Sequence, residues 1–556
     1  MKWTKLQLCT GMTLMTTNVI STLKVEGSTF EEIEKVQGAE EIIASNADYI
    51  VDESKIAGGS AEWVFFPKTE SEVVAIINRM REEKIPITIS GGRTGIVGSA
   101  VPFGGAVIST DKMTSVLGLG YDEDVEKYFV RIQPGITLKN LDDFIRYKEF
   151  TDDHNLVPNN DIVQKFKQNP DTFLFPVDPT EMTAVVGGSI AANASGARSY
   201  KYGAMRPWVR HLRVVLDSGE VLDLTRGENK ADNGVFVFKK SGKEIEVKLP
   251  TYKMPKAKNA AGFYATPDMD VMELFIGTEG ILGVITEVDL WIIKKPMGLP
   301  NVMFFTAEDD SILFVEKLRE DPDLNVEYME FFDENSFELL KSKQKTTPAL
   351  ANLSTIPSDA KTAIFFEIPY SEDTLEDIIV KLDEIAMGCN SSIDSCWSAF
   401  DEVEKESFKA MRHAVPESVN AIIAKRKNEY PGIHKLGTDM SVEHQHFRDM
   451  MNLYHDKMLE HGLEYVMWGH IGDSHVHLNI LPRNMEELAL GKKLYKTFAE
   501  KAVEFGGSVS AEHGIGKIKI EYLIVMYGEE GVDQMRAVKQ ALDPQAIFNR
   551  GNMFTL

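Results

Sequence analysis

The amino-acid sequence predicts an α+β protein built from more than one domain. Helical and strand-like hydrophobic patterns alternate along most of the chain, which fits neither an all-helical nor an all-strand fold. Three glycine-rich clusters lie between strand-like runs before residue 290, and glycine-rich motifs return after residue 505. The length of 556 residues also exceeds the roughly 150 residues that one domain usually takes.

The first elements can be placed between residues 63 and 110. Residues 70–84 predict a helix, because apolar side chains recur on one helical face at Val73, Ile76, Ile77 and Met80. Pro86 ends this helix, and the strand-like runs 85–90 and 105–110 enclose a loop with six glycines. No helix follows the loop directly and the GxGxxG pattern is absent, which excludes a Rossmann nucleotide site.

Two further glycine clusters follow along the chain. The second, residues 187–203, leads into a predicted hairpin over 209–224, and the third lies in a strand-like run over 273–292. Between them, residues 226–262 are charged and rich in lysine and predict a loop. Small residues let backbone N–H groups approach an anion, and one such loop is often only a turn. Three clusters favour one extended ligand, such as a dinucleotide with a pyrophosphate.

The chain changes character after Pro296 and Pro300. Over about 301–500 the glycine clusters stop and helical patterns alternate with short strands, which predicts a separate α+β domain inserted as a cap. We therefore divide the chain into four parts: an N-terminal segment (1–55), a ligand-binding domain (56–298), a cap domain (299–505) and a C-terminal segment that returns to the ligand site (506–556).

The amino-acid composition indicates which classes of ligand and macromolecule the protein could bind. The chain has 85 acidic and 60 basic residues and a formal net charge of −25, which argues against binding to nucleic acid or to an anionic membrane surface. An anionic substrate would need local positive charge in its site. The three cysteines are too few for a disulfide framework, and the spacing of Cys389 and Cys396 matches no common zinc or iron–sulfur pattern.

The N-terminal stretch MKWTKLQLCTGMTLMTTNVIST has apolar residues, but polar ones interrupt every run. A signal peptide needs an unbroken apolar core, and a membrane-spanning helix needs about 20 apolar residues. We therefore expect a cytoplasmic protein without a transmembrane segment, and peripheral attachment to a membrane stays open.

The densest chemical signal is a group of three histidines within eight residues. After a turn at Gly472 and Asp473, a strand would place His475, His477 and Asn479 on one face, and His470 could fold back to it. Neutral imidazoles bind Zn, Fe, Ni and Cu, so one interpretation is a metal site. The other interpretation is a hydrogen-bonded polar face of a strand.

A second polar pair, Glu512 and His513, lies in a glycine-flanked turn. Adjacent side chains point in different directions, so one could face a metal ion and the other a reacting carbon. The alternative is a loop with two solvated polar groups.

The glycine clusters resemble the FAD-binding segments of the vanillyl-alcohol oxidase and p-cresol methylhydroxylase (PCMH) flavoprotein family. Residues 89–102 resemble its pyrophosphate loop, residues 176–196 its second FAD segment and residues 276–286 its third. The resemblance extends from about residue 60 to 552 with order and spacing kept. It implies a PCMH-type FAD-binding domain of two α/β subdomains over 56–298.

This resemblance implies which residues bind FAD. Some relatives carry a flavin-linked histidine near the position of Arg93, so we expect non-covalent FAD. The residues implied to contact the pyrophosphate all lie in the first glycine loop and are Gly91, Gly92, Arg93, Thr94, Gly95 and Ser99. The other implied contacts are Asn193, Ser195, Gly196 and Asn549 near the ribityl chain and flavin, and Glu279 and Ile285 toward the adenosine half.

The histidine-bearing stretches resemble the C-terminal signature of the FAD-linked D-2-hydroxy-acid dehydrogenases. This branch includes D-lactate dehydrogenases, the glycolate oxidase flavin subunit and D-2-hydroxyglutarate dehydrogenase. The resemblance implies that His470, His477 and Glu512 bind a divalent metal ion and that His513 is the general base. His475 departs from the pattern, because many relatives carry asparagine there.

The same resemblance places two cations of the cap at the substrate carboxylate. Arg412 would grip it through two parallel hydrogen bonds, although a solvated helix arginine is the alternative. Lys435 would be the second cation, but the residues Ser441-Val442-Glu443 that come after it lack the family's usual proline.

By this resemblance we expect oxidation of a small D-2-hydroxy acid, with Zn, Fe or Mn stabilising the alkoxide, His513 taking the proton and flavin N5 taking the hydride. Two alternatives are an oxidase of the same fold that acts on an aromatic or polyol alcohol and a non-catalytic FAD subunit of an electron-transfer complex. The sequence has no cluster motif, so we expect a separate electron acceptor: an electron-transferring flavoprotein, an iron–sulfur subunit, a cytochrome or a quinone. A homodimer stays open.

Overall fold

The computed structural model of the chain describes residues 19–157, 160–344, 350 and 353–556. Cys9 and the rest of the N-terminal stretch up to residue 18 lie outside the described residues. The strands are β1 Val19–Ser21, β2 Lys35–Gln37, β3 Trp63–Phe65, β4 Ile87–Ser90, β5 Ala106–Ser109, β6 Val116–Asp122, β7 Lys127–Ile132, β8 Phe173–Leu174, β9 Val209–Val215, β10 Val221–Thr225, β11 Val235–Lys240, β12 Lys243–Lys248, β13 Val284–Trp291, β14 Ile293–Lys294, β15 Gly298–Phe305, β16 Tyr328–Phe332, β17 Thr362–Pro369, β18 Cys396–Ser398, β19 Leu436–Gly437, β20 Tyr465–Gly469 and β21 His477–Ile480.

The helices alternate with these strands along the chain. They are α1 Ala39–Ser45, α2 Glu70–Glu83, α3 Leu138–Arg146, α4 Ile162–Gln168, α5 Val186–Ala191, α6 Ser199–Tyr202, α7 Glu308–Glu320, α8 Glu334–Gln344, α9 Leu375–Met387, α10 Glu402–Arg426, α11 Phe447–His461, α12 Met485–Glu504 and α13 Ile520–Leu542. The predicted α+β class is confirmed. No helix in the described part of the chain combines the length and the apolar character that crossing a membrane requires.

The predicted elements around the first glycine cluster are confirmed. Helix α2 buries completely the side chains expected on its core face: Val73, Ile76, Ile77 and Met80. Strands β4 and β5 pair in parallel within a four-stranded sheet of order β2-β3-β5-β4. The glycine loop therefore leaves the carboxyl end of β4, where its backbone is free of the sheet ladder.

The second sheet carries the other two glycine clusters at its margin. Its order is β10-β9-β13-β7-β6, and the predicted hairpin is confirmed, with Val215 opposite Val221 across a turn that Gly219 completes at φ +77°. Of the strand-like run 273–292, only β13 is a strand. Residues 271–275 form a 3₁₀ helix instead.

The loop predicted over residues 226–262 is wrong over residues 235–248. Strands β11 and β12 form an antiparallel hairpin there, and β1 adds a third strand beside β11. Phe236, Phe238 and Val247 bury the inner face of this hairpin. The exposed charged residues on it are Lys239, Lys243, Glu244, Glu246 and Lys248. The high charge of this segment concealed a period-two pattern that is typical of a half-buried strand.

The cap contains a seven-stranded sheet of order β18-β15-β17-β16-β20-β21-β19. Its predicted helices and strands are confirmed as α7, α9, β15 and β17. Helix α10 begins with a capping box between Asp401 and Glu404 and packs Phe408, Met411 and Val415 into the core of the cap. The boundaries proposed at residues 56, 299 and 506 stay predictions.

The C-terminal residues return to the first sheet. The Ile87 N–H donates to the carbonyl of Ile547 at 2.7 Å, and the Asn549 N–H donates to the carbonyl of Ile87 at 2.8 Å. The end of the chain therefore lies beside β4 and the first glycine cluster.

Candidate active site

The three glycine clusters line one cavity of about 430 Å³. Within the described residues, no backbone N–H of residues 91–95 donates a hydrogen bond, so these groups are available to an anion. Position 196 has no room for a side chain larger than that of glycine, because a Cβ atom there would lie 2.0 Å from the carbonyl oxygen of Asp178. The free N–H groups and the close approach of small residues fit a pyrophosphate-containing ligand.

Most residues predicted to bind FAD line this cavity. They are Gly91, Gly92, Arg93, Thr94, Gly95, Ser99, Ser195, Gly196, Glu279, Ile285 and Asn549. Asn193 is not among them. Its side-chain oxygen accepts the backbone N–H of Arg206 at 3.1 Å, and it borders a separate cavity.

Side chains of the cavity hold its parts together. The Arg93 guanidinium donates to the Gly91 carbonyl at 2.7 Å and to Asp111 at 3.0 Å, which fixes the first loop. The Glu279 carboxylate accepts the Ser99 hydroxyl at 2.6 Å and the Ile515 N–H at 2.7 Å. Glu279 therefore joins the first glycine loop to the C-terminal segment that carries Glu512 and His513.

A second cavity of about 700 Å³ meets the first at the predicted chemical residues. His470, Glu512 and His513 line both cavities. Arg412 lines only the second, where its guanidinium lies 3.8 Å from Glu330 and 5.0 Å from the centre of the Tyr328 ring. The reacting groups thus lie between the glycine-lined cavity and a cavity that contains a partly exposed cation.

Four candidate metal ligands converge at this junction. One donor atom from each of His470, His475, His477 and Glu512 lies within 4.8 Å of the others. Strand β20 ends just before His470 and β21 begins at His477, so the antiparallel pair and its turn bring these imidazoles together. Nε2 of His470 lies 3.0 Å and Nε2 of His477 3.7 Å from the Glu512 carboxylate.

Groups around the two predicted histidine ligands fit metal binding. Nδ1 of His470 is 2.5 Å from Glu330, and Nδ1 of His477 is 2.7 Å from the carbonyl oxygen of Thr438. Such partners fix the far ring nitrogen of a metal-bound histidine and turn Nε2 toward the ion. Both Nε2 atoms face Glu512 here, so His470, His477 and Glu512 could hold one divalent cation.

The same junction attracts positive charge. Burial alone would lower the pKa of His470, but the carboxylates of Glu330 and Glu512 outweigh it and raise the pKa to about 10. Burial would raise the pKa of Glu512, but His470 and Lys258 hold that pKa well below its usual value. A cation at this point therefore meets an ionised carboxylate.

His513 lies against a fully buried carboxylate. Its Nδ1 is 3.3 Å from Asp439, which also accepts the His513 backbone N–H at 3.1 Å and the Lys519 ammonium at 2.7 Å. Burial lowers the pKa of His513 to about 4, although Asp439 acts in the opposite direction. The imidazole is therefore neutral at pH 7, and Asp439 fixes its orientation.

Three charged residues that shape the site were not identified from the sequence. Asp439 is the partner of His513, and Glu330 bridges His470 and Arg412.

Lys258, the third of these residues, is buried and lies 2.5 Å from Glu512 and 3.4 Å from Asp473. Burial disfavours the Lys258 ammonium, but the attraction of both carboxylates outweighs it and the pKa is raised. Each is a single charged residue in an unrelated stretch, so no local motif marked it.

Lys435 lies outside both cavities. Its ammonium is 6.0 Å from the centre of the Trp468 ring, and Trp468 lines the second cavity. Burial lowers the pKa of Lys435. The structure therefore brings Arg412 to the cavity surface and leaves Lys435 behind Trp468.

Comparison with known proteins gives the family. Residues 301–553 match the family described as FAD linked oxidases, C-terminal domain, and residues 61–159 and 157–225 match the FAD binding domain. The D-lactate dehydrogenase of Anaerostipes hadrus is 30% identical over 522 residues, 91% of this chain and 93% of that protein. The chain belongs to the FAD-linked oxidase family. It is therefore an FAD-linked oxidoreductase, and the PCMH-type FAD-binding domain and FAD-linked oxidase cap are confirmed.

Other relatives of this FAD-linked oxidase agree with the assignment. The glycolate oxidase subunit GlcD of Bacillus subtilis is 26% identical and covers 94% of this chain and 96% of its own length. The D-2-hydroxyglutarate dehydrogenase of Stutzerimonas stutzeri is 25% identical, with coverages of 88% and 90%. The solved structure of an alkyldihydroxyacetonephosphate synthase has a TM-score of 0.58 at 15% identity and covers 95% of this chain and 89% of its own, which shows a shared fold.

Proposed function

We propose that this FAD-linked oxidase oxidises a small D-2-hydroxy acid to the 2-oxo acid. The observation that carries the proposal is the meeting of His470, His477, Glu512 and His513 at the junction of the two cavities. Three relatives are named for D-lactate, glycolate and D-2-hydroxyglutarate, which are all 2-hydroxy acids. A non-catalytic FAD subunit would have no use for this set of ionisable groups.

The reaction separates an alcohol into a carbonyl, a proton and a hydride. The glycine-lined cavity would hold FAD without a covalent link, and FAD would supply the acceptor of the C2 hydride. His470, His477 and Glu512 would hold a divalent cation (Zn, Fe or Mn), whose positive charge would lower the pKa of the substrate hydroxyl. Neutral His513 takes the hydroxyl proton, and Asp439 at Nδ1 leaves Nε2 as the accepting atom.

Arg412 would provide the positive charge that an anionic substrate needs in the second cavity, and Lys435 would add to it from outside that cavity. The Arg412 guanidinium is presented to the second cavity by α10 and stacks beside Tyr328, so two of its N–H groups could bind a carboxylate. Lys435 adds a second positive charge behind Trp468. The three cysteines cannot form a Cys₄ cluster, so we infer that the electrons leave to a separate flavoprotein, iron–sulfur subunit, cytochrome or quinone.

The proposal is tested by anaerobic stopped-flow measurement of flavin bleaching. D-Lactate, glycolate or D-2-hydroxyglutarate is expected to bleach the flavin, and propane-1,2-diol, which lacks the carboxylate, is expected to leave it oxidised. Arg412→Lys is expected to lower the second-order rate constant of bleaching about 30-fold or more, because a bidentate charged contact is worth about 2 kcal/mol or more. Lys405→Gln, on an exposed part of the same helix, is the matched control. Bleaching by the diol as fast as by every acid would overturn the proposal.

A further inference from the structure

His475 is a buried imidazole without a hydrogen-bond partner in the part of the chain that the structure describes. Its side chain is 0% exposed, and neither ring nitrogen donates or accepts a hydrogen bond within the described residues. Its ring centre lies 4.4 Å from that of His477 and 5.5 Å from that of His470. A buried polar group without a partner costs about 1–3 kcal/mol, so a partner for this imidazole is expected.

The nearest protein acceptor does not supply that partner. Asp439 lies 3.5 Å from Nε2 of His475, beyond the 2.7–3.2 Å of ordinary N–H···O bonds. The Asp439 carboxylate already accepts the Ser510 hydroxyl at 2.5 Å, the Lys519 ammonium and the backbone N–H of His513. These closer donors occupy Asp439 and leave His475 unpaired.

The candidate metal site does supply a partner. One ring nitrogen of His475 belongs to the set of four donor atoms that lie within 4.8 Å of one another. In a tetrahedral site with bonds of about 2.1 Å, neighbouring ligand atoms lie about 3.4 Å apart. Donor atoms that are at most 4.8 Å apart therefore need to approach one another by no more than about 1.4 Å to share one ion.

We infer that His475 is a fourth protein ligand of the metal ion, beside His470, His477 and Glu512. The inference rests on the metal site of the proposed function and deepens it. Three imidazoles and one carboxylate are a softer donor set than two imidazoles and one carboxylate. Such a set favours zinc, iron, nickel or copper over manganese, which prefers carboxylate, carbonyl and water oxygens.

X-ray absorption at the zinc edge tests this inference on the full-length flavoprotein. The protein is stripped with a chelator and reloaded with one equivalent of Zn²⁺, and the imidazole ligands are counted from the scattering of the rings. We expect three imidazoles in the natural protein and two in His475→Asn. Two imidazoles in the natural protein would overturn the inference, and this measurement does not depend on how the variant folds.

Competition with a chromophoric chelator separates this inference from the proposed function. His475→Asn is expected to weaken Zn²⁺ binding at least about tenfold, with the flavin absorbance kept as the control for folding. If His477→Ala lost affinity for Zn²⁺ and His475→Asn did not, His475 would be excluded as a ligand and the site of His470, His477 and Glu512 would stand. Unchanged affinity in both variants would contradict the metal site itself.

Discussion

The variant His477→Ala is expected to keep its flavin and to lose the ability to oxidise a D-2-hydroxy acid. Removal of one imidazole opens the cluster of His470, His477 and Glu512, and the cation that would favour ionisation of the hydroxyl is lost. That charge is worth several kcal/mol, so the rate of flavin reduction is expected to fall about a thousandfold or more. Anaerobic stopped-flow reduction and the metal content of the purified protein measure both effects.

The matched control for this prediction is His461→Ala. His461 is an exposed histidine at the end of α11, away from the ligands of the cluster. The variant His461→Ala is expected to keep the metal content and the rate of flavin reduction of the natural protein. If His477→Ala retained its full rate of flavin reduction, the metal would have no part in the reaction.

The variant His513→Asn is expected to reduce the flavin about 10²–10⁴-fold more slowly, which is the usual contribution of a general base. Asparagine cannot take the hydroxyl proton at neutral pH. The His513 side chain is not among the proposed metal ligands, so the metal content is expected to stay unchanged. Rapid-reaction kinetics and metal analysis on the same preparation separate this variant from His477→Ala.

The variant Asp439→Asn tests whether Asp439 positions His513. The carboxylate of Asp439 lies 3.3 Å from Nδ1 of His513, and Asp439 lines neither of the two cavities. A smaller loss of rate than in His513→Asn, with substrate binding kept, is expected from a positioning residue. If His513→Asn reduced the flavin as fast as the natural protein does, another group would have to take the proton of the substrate hydroxyl.

Local patterns predicted the elements that carry the site. The apolar face of α2, the strand β4 that follows Pro86 and the β9–β10 hairpin each follow from a short local pattern in the sequence. The same holds for the histidines, since a turn between two strands returns His470 to the neighbourhood of His477. The pairing of both with Glu512 was implied by resemblance, because no local pattern links residues so distant in the chain.

The remaining parts of the site depend on tertiary packing. Lys258 lies within the segment 226–262 that was predicted as a loop, and Glu330 lies in the otherwise apolar strand β16. Neither position has a sequence period that indicates a buried ion pair. Asn193 has a left-handed backbone at φ +48°, and its side chain borders a separate cavity and accepts the Arg206 N–H. The glycine-rich stretch around it does not indicate this placement.

Electrostatics explains how a chain of net charge −25 could bind an anion. Lys258 and Lys519 are buried beside the carboxylates of the site, and Arg412 reaches the second cavity. These cations offset Glu330, Asp439 and Glu512 within a small volume of low dielectric, where the charges of the outer surface count for little. The metal ion would add the remaining positive charge at the junction of the two cavities.

The most direct test of the account is the rate of flavin reduction in the natural protein without metal. Protein treated with a chelator is mixed anaerobically with its best D-2-hydroxy acid, before and after the return of one equivalent of Zn²⁺ or Mn²⁺. We expect the metal-free flavoprotein to stay oxidised and the reloaded protein to be bleached within a single turnover. Full-rate bleaching by protein shown to be metal-free would contradict the account.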